Sequence, residues 1–182
     1  MLMNIERHLI LIGFMGSGKS SVGRELAKIL QQPFIDLDEY IEQQTGLTIA
    51  NIFAQQGEDV FRQLETRFLK EVLKNPPHIV STGGGTIISE ENRRLMEASG
   101  YVVFLDAGWE TLAERTASSC SRPLLYPSGK TAADKQFRHQ KIKDLLNERR
   151  PFYERCHIKI ITDNLSIHQA ARKIIQQLLQ TD

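Results

Sequence analysis

The chain has 182 residues, 25% charged and 41% hydrophobic, and 23 Lys+Arg against 22 Asp+Glu leave a formal net charge of +1. That length suits one domain with a sizeable core, and the composition excludes disordered, collagen-like and low-complexity chains. A near-neutral balance gives no global reason to expect a nucleic-acid coat or a membrane-surface binder. The two cysteines, Cys120 and Cys156, are too few for a disulfide scaffold and lack zinc-site spacing. Read as reduced thiols, they suit the cytoplasm. The longest apolar run, Leu9 to Ile12, falls far short of the ~20 residues that span a bilayer. No small-residue cleavage site follows it, so no targeting segment is expected.

In chain order, residues 8–12 read as a buried strand and 19–31 as a helix, with Val22, Leu26, Ile29 and Leu30 on one face. A short strand is expected at 33–36, followed by a helical segment over 37–75 with breaks at Gly46 and Gly57. Residues 78–82 form the next strand, stopped by Gly83-Gly84-Gly85. A helix at 89–99 is opened by Ser89 as N-cap. Strand 101–105, a short helix near 109–117, a polar loop over 118–135, a helix at 134–149, strand 157–161 and helix 166–180 complete the chain. The strands are near-continuously apolar, as when both faces are covered. Strand–helix alternation without repeats or linkers predicts one α/β domain over 1–182, its parallel sheet of about five strands covered by helices on both sides.

Gly13-Phe14-Met15-Gly16-Ser17-Gly18-Lys19-Ser20 matches G-x4-G-K-[ST] between a predicted strand and a predicted helix. Its glycines let successive N–H groups face phosphate oxygens, and the helix adds its positive end. Lys19 is suited to the β- and γ-phosphates and Ser20 to Mg2+. No N-K-x-D base-reading motif follows, and the third strand ends in Ser81-Thr82-Gly83 rather than an acidic pair. A small-molecule or nucleotide kinase is therefore expected over a GTPase or a motor ATPase.

Asp36 and Asp38, two apart in an extended segment, would leave the strand in the same direction. One suits Mg2+ through water and the other an attacking hydroxyl, but an Asp here equally suits a helix N-cap, and this feature alone does not decide. Arg62 and Glu65 lie three apart and can pair; such pairs are ordinarily solvated. The triple glycine 83–85 is expected to let backbone approach a ligand, with a tight turn as the plain alternative.

Taken together, G-x-x-G-S-G-K-S, D-x-D, G-E-x-x-F-R-x-x-E, S-x-G-G-G, R-P-L-L and E-R-x-P-x-Y occur in that order. The chain resembles the shikimate kinase family, in the nucleoside-monophosphate-kinase-like branch of P-loop proteins, from Arg7 to about Leu179. The resemblance implies a three-layer α/β/α fold with a substrate-binding helical segment (37–75) and a lid (118–135). It implies transfer of the ATP γ-phosphoryl to the 3-hydroxyl of shikimate, with Mg2+, by a cytoplasmic monomer that needs neither nucleic acid nor membrane. Gly16, Ser17, Gly18, Lys19, Ser20 and Ser21 would hold ATP, with Arg115 near adenine and Arg122 closing from the lid. Asp38 would be the base and Asp36 would join Ser20 at Mg2+. Arg62, oriented by Glu65, would bind the shikimate carboxylate with Arg149. Gly83, Gly84 and Gly85 would line the substrate, and Phe53 and Phe61 would pack its ring. Arg150 stands beside Arg149, and only the motif favours Arg149.

Two departures from the family pattern stand out: extra residues around Pro127 to Phe137, and Leu165 where a polar residue is common near adenine. Another small-molecule kinase, for gluconate or a nucleoside monophosphate, and a non-catalytic nucleotide switch are the competing readings. Residues 115–155 carry ten Lys/Arg against four Asp/Glu. This excess is expected to gather where polyphosphate and a carboxylate are held.

Overall fold

The computed structural model describes residues 5–117 and 135–181. Five strands, β1 (His8–Ile12), β2 (Phe34–Asp36), β3 (Ile79–Ser81), β4 (Gly100–Asp106) and β5 (Ile158–Ile161), form one parallel sheet in the order β2-β3-β1-β4-β5. The helices are α1 (Lys19–Leu30), α2 (Leu37–Thr45), α3 (Ile49–Val72), α4 (Glu90–Ser99), α5 (Trp109–Arg115), α6 (Lys135–Tyr153) and α7 (Ile167–Thr181).

The three-layer α/β/α arrangement follows from β1. Leu9 and Leu11 face a core made with α1 and α7, whereas Ile10 and Ile12 face one made with α2, α3 and α4. Because alternate strand residues point to opposite faces, an all-apolar strand is what a sheet buried on both sides requires. A third apolar cluster joins Phe14 and Met15 to α5 and α6.

The chain winds from β1 toward β2 and β3, then crosses back to β4 and β5. The reversal leaves a crevice beyond the carboxyl end of β1, the place where open α/β sheets bind ligands. The Gly13–Ser20 loop lies there.

The expected elements are present, with instructive shifts. Gly46 ends α2 in the left-handed region at φ 69°, and Ser89 caps α4 through the Asn92 amide. Gly57, at φ 85° and ψ 172°, leaves helical geometry and breaks α3 into two helical stretches across a kink, as expected. A 3-10 turn over Thr86–Ile88 was not anticipated. Helix α6 runs past the expected end at 149 and through Pro151 to Tyr153. Proline removes one amide donor, yet the ladder resumes as Glu154 N donates to Arg150 O at 3.0 Å. Among the described residues no helix is long and apolar enough to cross a membrane.

Candidate active site

The phosphate loop is held open by its own sequence. Gly16 and Gly18 sit at φ 81° and 96°, a region that side-chain-bearing residues rarely adopt. Gly18 caps α1 with no side-chain hydrogen bond, and the first turn carries no acidic residue. No acidic residue of α1 itself therefore offsets the positive end of the helix. Lys19 is buried, and its Nζ donates to the carbonyls of Gly13 and Phe14 at 2.9 Å each. Those bonds draw the ammonium back over the loop. Ser17 Oγ is buried with no hydrogen-bond partner.

A cavity of about 430 Å³ opens above this loop. It is lined by Gly16 to Ser21, Asp36, Asp38 and Arg115, with Leu165, Ile167 and Ala170 as an apolar patch. Arg115 donates to Thr162 O at 3.0 Å, so its guanidinium is tied to the chain that follows β5. Asp163 braces the same corner by accepting from Gly108 N and the Thr111 hydroxyl at 2.8 and 2.6 Å. Burial alone would raise the Asp163 pKa, but these hydrogen bonds outweigh it and hold the carboxyl below its ordinary value.

Asp36 and Asp38 both line this cavity, though not for the reason strand periodicity offered. Asp36 ends β2, whereas Asp38 already lies in the first turn of α2. Asp36 uses its two oxygens differently. Its Oδ1 caps α2 by accepting from Asp38 N and Glu39 N, and its Oδ2 accepts the Ser20 hydroxyl at 2.5 Å. Ser81 Oγ lies 3.4 Å from Ser20 Oγ. This is a small all-oxygen group, the donor type hard divalent cations prefer.

A second cavity of about 400 Å³ adjoins the first and shares Met15, Asp38 and Gly84 with it. Arg62, Glu65, Gly83, Gly85 and Arg149 also line it, together with Phe53 and Phe61, whose rings lie 4.8 Å apart. The Arg62–Glu65 pair is not the solvated pair its spacing suggests. Glu65 is 1% exposed, accepts from Arg62 Nη1 at 2.9 Å, and takes the Thr86 hydroxyl on its other oxygen at 2.5 Å. Glu58 accepts from Nε and Nη2 of the same guanidinium. Burial works against the Arg62 charge, but the two carboxylates prevail and raise its pKa above the ordinary value.

The glycine triplet makes room chiefly for side chains. A Cβ on Gly83 would stand 2.8 Å from Asp38 Oδ1 and from Glu65 Oε1, and one on Gly85 would stand 2.6 Å from both terminal nitrogens of Arg62. The adjacent arginines also differ in place. Arg149 is buried in the cavity wall, whereas Arg150 pairs with Asp106 at 3.2 Å and with Glu154. The basic excess of 115–155 is accordingly only partly at the site. Arg115 and Arg149 line the cavities, but Arg150, Arg155 and Lys143 contact Asp106, Glu97 and the Trp109 ring.

Arg122 and nearly all of the lid expected over 118–135 lie outside the described residues. Sequence reasoning missed Met15, Glu42, Thr48 and Ile49 in the second cavity, and Thr86 behind Glu65. Met15 sits at a variable position of the loop motif and Thr86 just past the glycines, so neither carried a signal of its own.

The family model described as Shikimate kinase matches residues 15–179. The chain is 40% identical over 175 residues to a shikimate kinase of Rhizobium leguminosarum bv. trifolii, covering 96% of this chain and 85% of that protein. It is 36% identical to a shikimate kinase of Thermodesulfovibrio yellowstonii over 94% of each chain. The solved structure of shikimate kinase from Acinetobacter baumannii in complex with shikimate superposes with a TM-score of 0.89 at 37% identity, covering 97% of this chain and 94% of that one. A gluconokinase from Sinorhizobium meliloti, at TM-score 0.60 and 18% identity, shares the fold alone.

Proposed function

The chain belongs to the shikimate kinase family, and from that premise we propose that its two adjoining cavities bind ATP and shikimate with the reacting groups meeting at Asp38. The protein transfers the γ-phosphoryl of ATP to the 3-hydroxyl of shikimate, giving shikimate 3-phosphate and ADP. The observation that carries this reading is the shared wall. A phosphate-binding loop and a pocket with two buried or half-buried arginines meet at one carboxylate.

In this reading Lys19 exchanges the Gly13 and Phe14 carbonyls for β- and γ-phosphate oxygens. The loop from Gly16 to Ser21 supplies backbone donors, and Arg115 covers the adenine side. Arg62 and Arg149 hold the shikimate carboxylate, since forked cations match a planar carboxylate in charge and shape. Phe53 and Phe61 pack the ring. Asp38 accepts the hydroxyl proton as the phosphoryl moves; a base in hydrogen-bond reach typically contributes 10²–10⁴-fold. Phosphoryl transfer needs mainly positioning and charge stabilisation, and the site offers both. The oxygen group of Ser20 and Asp36 fits Mg2+, whose charge would neutralise the phosphates. Arg122 on the lid closes over the phosphates in the same proposal. A single-domain monomer free in the cytoplasm completes the reading.

The test is a coupled ADP-release assay with shikimate, gluconate, AMP and CMP at equal concentrations. Shikimate alone is expected to accelerate release. Acceleration by AMP or gluconate but not shikimate would sink the reading, and no acceptor dependence at all would favour a nucleotide switch.

A further inference from the structure

Tyr153 is fully buried, with its ring stacked on Phe104 at 5.0 Å and 15° between planes. Its hydroxyl donates to the carbonyl of Gly84. Arg149 stands one turn earlier on the same face of α6 and donates through Nη1 to the same carbonyl at 3.2 Å. A carbonyl has two lone pairs, and here two side chains of one helix take them. Gly84 belongs to the wall that the two cavities share. Burial pushes the Tyr153 phenol well above its ordinary pKa, though the Arg149 charge pulls the other way. The phenol thus stays protonated and remains a donor.

The consequence concerns Arg149. Its Nε is buried with no hydrogen-bond partner, and only Nη1 engages Gly84. A carbonyl relieved of its phenol would be a stronger acceptor for the neighbouring cation, and the guanidinium would settle on it with more of its N–H groups. We infer that Tyr153 is a positioning residue for the acceptor pocket: by occupying one lone pair of Gly84 O, it keeps the Arg149 fork available to the substrate carboxylate. The inference rests on the reading that Arg149 binds that carboxylate.

The experiment is Tyr153→Phe, which keeps the stacked ring, measured by calorimetric titration and steady-state kinetics. One buried hydrogen bond predicts a five- to tenfold loss of shikimate affinity, roughly 1 kcal/mol. Affinity for a non-hydrolysable ATP analogue should stay within about twofold. In an Arg149→Ala background, Tyr153→Phe should add almost nothing to the loss of shikimate affinity, because the tyrosine acts through that arginine. An additive loss there, or equal losses for both ligands, would overturn the inference and leave the functional reading standing. A wild-type protein that neither binds nor phosphorylates shikimate would remove both. If Tyr153→Phe cannot be purified, Phe104→Leu frees the ring but keeps the hydroxyl. It should raise the shikimate KM about two- to threefold with the ATP KM unchanged; equal rises would overturn the inference.

Discussion

Gly85→Ala isolates the Arg62 guanidinium as a determinant of acceptor binding. Gly85 sits at φ −106° and ψ −8°, a conformation alanine adopts without strain, so the added methyl acts only through what it touches. That methyl would stand 2.6 Å from Nη1 and Nη2 of Arg62 and 2.8 Å from Cζ. Favourable contact begins near ~3.5 Å, so the guanidinium must withdraw by roughly 0.9 Å. The 2.9 Å bonds to Glu65 and Glu58 are then stretched or lost. A charge-assisted hydrogen bond is worth about 1.5–3 kcal/mol, and the same displacement misplaces the fork for a substrate carboxylate. The expected outcome is a fall in shikimate kcat/KM of about 10- to 100-fold, with the ATP KM within about twofold. Thermal stability should fall modestly, by about 1–2 kcal/mol, because the weakened Arg62 bonds to Glu58 and Glu65 are offset only in part by the gain of about 0.4–1 kcal/mol from restricting the unfolded chain with Gly→Ala. The assay is coupled ADP release at saturating ATP across a shikimate titration, alongside a thermal melt. An unchanged shikimate KM would refute the reasoning. So would an equal further loss when Gly85→Ala is placed on Arg62→Ala, because the methyl would then be blocking the pocket rather than moving the arginine.

Other expectations follow from the same geometry. Lys19→Ala should lower kcat at least about 10²-fold by removing a donor to the phosphates, and near-normal turnover in a single-turnover assay would exclude that role. Asp38→Asn should lower kcat about 10²-fold or more with a smaller change in shikimate KM, and a full-rate variant would reject it as the base. His8 is buried, with Nε2 toward Leu73 O and Nδ1 accepting from His78 N, so only the neutral ring fits both contacts. Burial lowers its pKa from 6.5, helped by the charge of His78. The unfolded chain takes up this proton near pH 6.5 and the folded chain only at lower pH. His8 therefore disfavours folding as pH falls below that value, and its contribution is complete above it. Urea melts should show a flatter dependence on pH between about 5 and 7 in His8→Asn than in the parent; equal slopes would count against it.

The features legible in the sequence are those whose physics is local. The phosphate loop, the Gly46 and Ser89 helix ends and the two-sided strands each depend on residues a few positions apart. Burial of the Arg62–Glu65 pair does not. Spacing identifies a helical pair, but Glu65 is covered because Thr86 and Gly83 come to it from beyond β3. Arg149 and Arg150 are equally opaque to periodicity. Neighbours on a helix point about 100° apart, and the direction facing the pocket is set by Gly84 on one side and Asp106 on the other.

The glycine triplet and Asp36 show how residues that line the cavities can be singled out on incomplete grounds. Three consecutive glycines signal a close approach, and sequence alone suggests a ligand as what approaches. In the fold, the space left by the absent side chains of Gly83 and Gly85 takes Asp38, Glu65 and Arg62, which converge from two helices. Asp36 invited a choice between helix cap and cation ligand, yet one carboxylate has two oxygens: Oδ1 caps α2, while Oδ2 accepts from Ser20 and remains at the phosphate loop. That sharing couples the functions. Capping fixes where α2 begins, α2 carries Asp38 two residues on, and the Ser20 contact ties the same carboxylate to the phosphate loop. One side chain thereby links the phosphate loop to the start of the helix that carries Asp38. Asp36→Asn should accordingly disturb kcat more than either KM, since asparagine keeps one acceptor oxygen and its NH2 group, a donor only, cannot accept from Ser20 or from the α2 amides.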